Sequence, residues 1–348
     1  MDLKYIIDYY HNNEVLEREH LIELLMDDSP ETLKALRAEA DRVRHLWVGD
    51  EVHVRGIIEF SNNCIRSCSY CGINRLNPNT NRYRIPPELI VETAYLVAAM
   101  GLKTLVLQSG DDFYYTGEIL ADVTREIKKT GMALTLAVGE RSIQDLWLWR
   151  EAGADRYLLK FETSNSELYA RLHPGTDLQK RMSCLQRLRS LGYQVGSGFI
   201  VGLPGQTAET LADDIILLRS LHVEMAGTGP FIPHPGTVLA GYKTGSVDLA
   251  LKVLALTRLM LPWAHLPATT ALASLHPDGR KLGLTGGANV LMPNMTPLEY
   301  RRFYEIYPHK AEVIDPSEKL YEDTRTLIKD LGRKAAIDCG HGLPQKND

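Results

Sequence analysis

Residues 52–71 read VHVRGIIEFSNNCIRSCSYC and join an apolar run to a group of cysteines. The first nine residues are rich in β-branched and apolar side chains, which predicts a buried β-strand. Cys64, Cys68 and Cys71 follow in the next loop. The stretch therefore predicts a core strand with a chemically active loop at its carboxyl end.

The same alternation of apolar runs and amphipathic segments continues along the chain. The later runs are 104–109, 133–138, 156–162, 194–201, 224–231, 267–272 and 289–292. Helical segments are predicted at 87–100, 117–130, 177–191, 208–221 and 247–261. Eight alternating units predict an α/β fold with a parallel sheet, closed as a (β/α)8 TIM-type barrel. An open doubly wound sheet is the alternative, and the number of strands favours closure.

The residues before position 50 predict a helical N-terminal extension. Ser29 is a good N-cap, Pro30 suits the first helical position and Glu31 favours the positive end of the helix dipole. The apolar residues that follow share one face with helical spacing: Leu33, Leu36, Ala40, Val43 and Trp47. We expect this helix to pack on the main domain.

The chain is predicted to comprise three regions. They are the helical extension at 1–50, the barrel at 51–300, and a C-terminal helical segment with a tail at 301–348 that packs on the barrel. Cys339 and His341 lie in a glycine-rich part of that tail, which is predicted to be unstructured.

Composition and charge exclude several classes of protein. The 348 residues are 44% hydrophobic and 24% charged, which argues against disorder and a disulfide scaffold. The net charge is -5 and no block of Lys and Arg occurs, so nucleic acid is not an expected partner. Residues 1–15 lack the apolar core of a signal peptide, and charges interrupt the most apolar stretch, 249–267. We therefore expect a cytoplasmic protein without a membrane span.

Three of the five cysteines have the spacing C-x3-C-x2-C. In a reducing compartment such clustering suggests a metal centre and not a disulfide. Three thiolates hold three irons of a 4Fe-4S cube and leave the fourth iron free for a ligand. A structural zinc site is the alternative, although it normally has four ligands in paired spacings.

This run, with Tyr70 just before the last cysteine, resembles the signature of radical S-adenosylmethionine (SAM) enzymes. The resemblance implies that the free iron chelates the amino and carboxylate groups of SAM. It also implies that one electron from the reduced cluster cleaves the sulfonium to give a 5'-deoxyadenosyl radical.

Segments at the ends of later strands resemble the SAM-binding motifs of that superfamily. They are 108–112 (QSGDD), the end of the fourth strand, and 196–207 (GSGFIVGLPGQT). The resemblance assigns cofactor contacts to Tyr70, Gly110, Asp111, Glu162, Arg181, Ile200 and Gly202. Taken alone, these residues have simpler interpretations: a glycine turn with solvated acids, a Lys160–Glu162 pair at the rim, and an arginine that faces solvent.

Hydroxyl and cationic side chains predict a pocket for a small anionic substrate. The predicted substrate residues are Ser109, Thr135, Arg156, Lys160, Thr269, Thr270 and Tyr307. An amino-acid carboxylate or a cyanide-bearing iron complex would suit such a pocket.

Three further segments narrow the resemblance. Residues 229–235, 266–272 and 287–294 look like the radical SAM maturases of the FeFe-hydrogenase active site, and the likeness runs from about 48 to 335. It implies an iron-cysteine-carbonyl-cyanide complex as substrate, a reducing electron-donor protein, and hydrogenase maturation partners. Lys160-Phe161 replaces the Arg-His expected there, which puts the details of the substrate in doubt.

Two related enzymes and a non-catalytic function are the alternatives. Biotin synthase is disfavoured because its second cluster needs cysteines on barrel strands, and the predicted strands have none. A methylornithine synthase-like mutase and an iron-sulfur carrier or scaffold both remain open. Some maturases hold a second cluster on a C-terminal cysteine trio. No cysteine lies between Cys184 and Cys339, so a single cluster is predicted.

Overall fold

The computed structural model describes residues 3–13 and 15–343, and a parallel sheet forms its centre. Its strands are β1 Glu51–Ser61, β2 Thr104–Ser109, β3 Ala133–Ala137, β4 Arg156–Leu158, β5 Gln194–Val201, β6 Met225–Pro230, β7 Val290–Leu291 and β8 Lys334–Ala335. Their order is β6-β5-β4-β3-β2-β1-β7, and β8 pairs with β1. Strands β1 to β6 lie where the apolar runs predict them, although β4 is much shorter.

Residues 265–267 bridge the two edges of this sheet. Met225 of β6 forms an isolated parallel bridge with His265, and Pro267 forms one with Val290 of β7. The (β/α) barrel prediction is confirmed, with these bridges in the place of one strand. The predicted strand at 267–272 is wrong, because the Thr269 hydroxyl caps a helix that begins at Thr270.

Helices surround the sheet and connect its strands. They are α1 Leu3–Asn13, α2 Arg18–Met26, α3 Pro30–Val48, α4 Pro87–Ala99, α5 Gly117–Lys128, α6 Ile143–Glu151, α7 Ser166–Leu172, α8 Leu178–Ser190, α9 Ala208–Ser220, α10 Val247–Met260, α11 Thr270–Leu275, α12 Gly279–Leu284, α13 Leu298–Arg301 and α14 Ser317–Asp330. The predicted helical segments correspond to α4, α5, α8, α9 and α10. Among the described residues, no helix has the length and apolarity needed to cross a membrane.

The N-terminal helices pack against the outside of the barrel. The Ser29 side chain accepts a hydrogen bond from Thr32 N, so the predicted cap of α3 is confirmed. Leu36, Ala40 and Val43 are buried, and α3 packs on α10. Arg18 of α2 pairs with Asp213 of α9 at 2.7 Å, which fastens the extension to the barrel wall.

The C-terminal tail closes the amino end of the barrel, so the prediction of an unstructured tail is wrong for residues up to 343. Arg156 Nη2 donates to the carbonyl oxygens of Cys339 at 2.6 Å and Gly340 at 2.9 Å. Arg55 Nη2 donates to the same Gly340 oxygen at 3.2 Å. The two buried guanidinium groups need acceptors, and the tail backbone supplies them. Residues 344–348 lie outside the described part.

Candidate active site

A cavity of about 420 Å3 lies at the carboxyl ends of the strands. Most of the predicted site residues line it: Cys64, Cys68, Tyr70, Cys71, Ser109, Gly110, Asp111, Lys160, Glu162, Arg181, Ile200, Thr269, Thr270 and Tyr307. These residues come from distant parts of the chain, so the fold brings them together as a barrel site requires.

The cysteine loop is held close to the loop after β2. Ile65 N donates to Asp111 O at 3.1 Å, and Gly110 N donates to Ser61 O at 3.0 Å. A Cβ atom on Gly110 would lie 2.7 Å from the Cys64 Cβ. Gly110 is therefore required for the close approach of the two loops.

The three cysteines are free thiols that line one side of the cavity. Burial raises the pKa of the Cys71 thiol to about 12, and burial also raises the pKa values of Cys64 and Cys68. Nearby cationic iron would offset this cost and stabilise the thiolates. Among the described residues, no three His, Cys, Asp or Glu side chains converge on one metal position. The donor set fits a cube, in which each thiolate binds a different iron, better than a single zinc ion.

Tyr70 and His173 support the other side of this loop. The Tyr70 hydroxyl lies 3.0 Å from His173 Nε2, and the His173 ring stacks on Tyr169. Burial lowers the pKa of His173 to about 3, so its ring is neutral and Nε2 accepts a hydrogen bond from the Tyr70 hydroxyl. Ser69 N donates to Leu172 O at 2.8 Å. His173 was not predicted as a site residue, since no spacing in the sequence marks it.

Two arginines and two carboxylates form a charge network beside the cysteines. Arg66 Nε pairs with Asp111 at 2.5 Å, and Arg66 Nη2 pairs with Glu140 at 3.1 Å. Arg181 Nε contacts the other Glu140 oxygen at 2.6 Å, and its Nη1 donates to Lys160 O at 2.7 Å. Glu140 was not predicted, although its place after β3 follows the strand-end rule. Asp111 is thus already neutralised by Arg66.

Glu162 has an unusual backbone and a free acceptor. Its φ is 67°, a left-handed conformation that non-glycine residues seldom adopt. Glu162 Oε2 is buried and has no hydrogen-bond partner. Lys160 Nζ lies 3.1 Å from this oxygen, in ion contact but without hydrogen-bond geometry. The carboxylate is therefore ready to accept hydrogen bonds from a ligand in the cavity.

Asp214 connects the loops after β4 and β5. It is fully buried and accepts hydrogen bonds from Ser164 Oγ at 2.7 Å and Gln206 Nε2 at 3.1 Å. Burial raises the pKa of Asp214 to about 6. Gln206 Oε1 in turn accepts from Gly202 N at 2.7 Å. Gly202, with φ 84°, does not line the cavity and shapes this loop instead.

Another wall of the cavity carries a buried ion pair. Glu59 of β1 contacts Lys310, and its other oxygen accepts from Asn294 Nδ2 at 2.9 Å. The Lys310 ammonium lies 5.0 Å from the centre of the Tyr304 ring. Glu59 shares the inward face of β1 with Ile57, so the period of two could have found it. Nothing local in the sequence indicates Lys310.

Two predicted substrate residues, Thr135 and Arg156, do not line the cavity. Arg156 begins β4 at the amino end of the barrel and is completely buried against the tail. Thr135 of β3 pairs with Arg156 in register, below the cavity. Strand β4 ends at Leu158 and not at 162. The positions of Arg156 and Thr135 away from the cavity argue against the predicted substrate role of either residue.

The fold and the cysteine site together define a radical SAM enzyme. A model of the radical SAM superfamily matches residues 58–218. The solved structure of methylornithine synthase has a TM-score of 0.83 at 28% identity, covering 92% of this chain and 94% of that one. The maturase HydG from Carboxydothermus hydrogenoformans shares the fold, with a TM-score of 0.80 at 21% identity, covering 96% and 79%.

Sequence comparison identifies the family within the radical SAM superfamily. It is 48% identical to the [FeFe] hydrogenase maturase subunit HydE of Thermotoga maritima over 93% of each chain. It is 30% identical to 3-methylornithine synthase of Methanosarcina barkeri over 79% of this chain and 78% of that one. The chain belongs to the HydE family of radical SAM enzymes.

Proposed function

We propose that this enzyme cleaves SAM reductively and acts on a small anionic substrate during assembly of the FeFe-hydrogenase active site. The observation that carries the proposal is one cavity that holds three free cysteines on one side and, on another, the Glu162 carboxylate, whose Oε2 accepts no hydrogen bond from the protein. The 48% identity to HydE over nearly the whole chain supports a role in hydrogenase maturation.

Cys64, Cys68 and Cys71 would hold one 4Fe-4S cluster, each thiolate on a separate iron. When bound, the reduced cluster supplies the electron that breaks the SAM sulfonium bond. We expect one cluster per chain. Cys184 is buried in α8, and Cys339 lies at the opposite end of the barrel, in the tail.

The neighbouring residues would orient SAM. The Glu162 carboxylate would accept hydrogen bonds from the ribose hydroxyls, because Oε2 is in ion contact with Lys160 but accepts no hydrogen bond from the protein. The Arg181 guanidinium would turn from Glu140 to the SAM carboxylate, and Asp111, which pairs with Arg66, would accept from its ammonium group. Gly110 and Ile200 bring backbone and an apolar side chain to the cofactor, and Tyr70 supports the cysteine loop.

The substrate would lie between SAM and the far wall of the cavity. Ser109, Thr269, Thr270 and Tyr307 bring hydroxyl groups, and Lys160 brings a positive charge. This combination favours a small anion, and an iron-cysteine-carbonyl-cyanide complex is the substrate that we propose. The proposal also includes a reducing electron-donor protein, hydrogenase maturation partners and a cytoplasmic location.

The test is anaerobic turnover of reconstituted protein with SAM and dithionite. We expect 5'-deoxyadenosine by liquid chromatography and about four irons per chain. An iron content well above four would contradict the single cluster. Absence of 5'-deoxyadenosine would overturn the enzyme and favour an iron-sulfur carrier.

A mutase like methylornithine synthase is the second candidate, supported by 30% sequence identity and a TM-score of 0.83. Lysine, SAM and reductant should give no methylornithine with this enzyme. Formation of that product by mass spectrometry would replace the maturase proposal with the mutase.

A further inference from the structure

The segment that carries the cysteines has a charge unlike that of the whole chain. Residues 61–86 contain four arginines and no Asp or Glu, whereas the chain has a net charge of -5. Such a local excess of positive charge creates a field that attracts an acidic partner.

Part of this charge is not neutralised within the protein. Arg66 pairs with Asp111, and Arg84 pairs with Asp112. Arg75 and Arg82 are exposed and form no ion pair with any described residue. Arg82 donates to the carbonyl oxygens of Asn62, Ile73 and Asn74 at 2.6, 2.7 and 2.6 Å, so its guanidinium lies against the cysteine loop and is paired with backbone, not with a carboxylate.

A further arginine extends the positive surface from α7. Arg171 is exposed and, within the described ranges, takes part in no ion pair. Its carbonyl oxygen accepts a hydrogen bond from Ser69 Oγ at 2.9 Å, so α7 ends beside the cysteine loop.

Two apolar side chains lie among these arginines. Ile65 is 50% exposed, although it directly follows Cys64, and Leu76 is 66% exposed. Arg75 N donates to Arg66 O at 2.8 Å, which places the Ile65 and Leu76 backbones near each other. Apolar residues within a ring of charge are typical of a protein interface.

We propose that this cluster face, made of Ile65, Arg75, Leu76, Arg82 and Arg171, docks an acidic one-electron carrier protein. The inference rests on the proposed function, which requires a reducing partner. The carrier is oxidised by one electron, and the cluster held by the neighbouring cysteines is reduced by one. The cluster would then supply this electron to SAM, whose carbon–sulfur bond breaks to leave methionine and a 5'-deoxyadenosyl radical. Docking here places the carrier over the loop that holds the cysteines, so the transfer path is short.

The experiment compares two double charge reversals in the reconstituted holoenzyme. Arg75→Glu with Arg171→Glu removes charge from the cluster face. Arg187→Glu with Arg325→Glu is the matched control, because both residues are exposed on the outer helices α8 and α14. Each double variant shifts the net charge equally, and none of the four residues belongs to the proposed SAM or substrate site.

Binding is measured by calorimetry with a purified acidic flavodoxin, at several salt concentrations. We expect the cluster-face variant to bind at least about tenfold more weakly and with less dependence on salt. The control variant should bind within about twofold of the unmodified enzyme. Leu76→Asp should also weaken binding. It removes an apolar contact and adds a negative charge, which repels the acidic carrier.

Turnover with dithionite separates this inference from the proposed function. All variants should make 5'-deoxyadenosine with dithionite at rates within about twofold of the unmodified enzyme. Failure of the unmodified enzyme in that assay would overturn the proposed function. If turnover with dithionite is normal, two binding results would overturn the docking surface and leave the proposed function intact. One is that the unmodified enzyme does not bind flavodoxin, and the other is that both double variants bind it with equal affinity.

Discussion

The two ends of the barrel both contain buried charge, but they stabilise it by different means. At the carboxyl end, Arg66 and Arg181 face the carboxylates of Asp111 and Glu140. At the amino end, no carboxylate among the described residues pairs with Arg55 or Arg156, and backbone carbonyls of the tail accept their hydrogen bonds.

Because of this difference, the arginines at the carboxyl end can exchange their hydrogen-bond acceptors for a ligand, whereas those at the amino end cannot. A side chain such as Arg181 can turn from Glu140 to a ligand by a change of rotamer. The carbonyls of Cys339 and Gly340 leave Arg156 only if the tail backbone moves. We therefore assign chemistry to the carboxyl end and closure of the barrel to the amino end.

Replacement of single cysteines at the two ends should give the largest contrast. Cys64→Ala, Cys68→Ala or Cys71→Ala should reduce 5'-deoxyadenosine formation at least about a thousandfold, because a ligand of the cluster is lost. Cys339→Ala at the amino end is the control and should keep iron content and activity. Iron analysis and product assays check this, and loss of the cluster in Cys339→Ala would break the division between the ends.

Gly340→Ala should affect stability and not chemistry. Gly340 has φ 58°, and an added Cβ would lie 2.4 Å from His53 Nδ1. We expect the free energy of unfolding to fall by about 3 kcal/mol in urea titrations followed by circular dichroism. Gly241→Ala, with no atom within 4 Å of its Cβ, should change it by less than about 0.5 kcal/mol. A similar loss in both variants would contradict the tight closure of the amino end.

The smallest effect is a pH dependence of opposite sign at the two ends. Burial raises the pKa of Asp214 to about 6, so its contribution to stability falls as pH rises from 4 to 6. Burial lowers the pKa of His53 to about 4, so its contribution falls as pH drops from 6.5 to 4. The free energies of unfolding of Asp214→Asn and His53→Gln, measured at pH 4.5 and 7, should deviate from the unmodified protein in opposite directions, by about 2 kcal/mol. Deviation of both variants in the same direction would show that Asp214 and His53 do not set the pH dependence of stability at the two ends of the barrel.

The sequence predicts elements whose pattern is local and misses those set by distant contacts. Strands β1 to β6 and helices α4, α5, α8 and α9 follow directly from periodicity, whereas α6 and α7 were not predicted. The error at 267–272 arose because helix capping by Thr269 outweighs the strand tendency of an apolar run. The error at Arg156 arose because the period of two predicts the face of a strand on which a residue lies and not the end: Arg156 begins β4, and its guanidinium lies at the amino end of the barrel.

The missed site residues depend on partners far along the chain. Glu59 and Lys310 are separated by 251 positions, and Asp214 lies 50 positions from Ser164. No spacing rule relates such pairs, because only the closed barrel brings them together. The cysteine motif was found from the sequence because its ligands are neighbours there.

The three hydrogen bonds of Arg82 have a consequence for how the metal centre is loaded. Its guanidinium joins Asn62 O, before the cysteines, to Ile73 O and Asn74 O, after them. These bonds tie the two ends of the cysteine loop together, and such cross-links lower the conformational entropy that a loop loses when it binds a ligand.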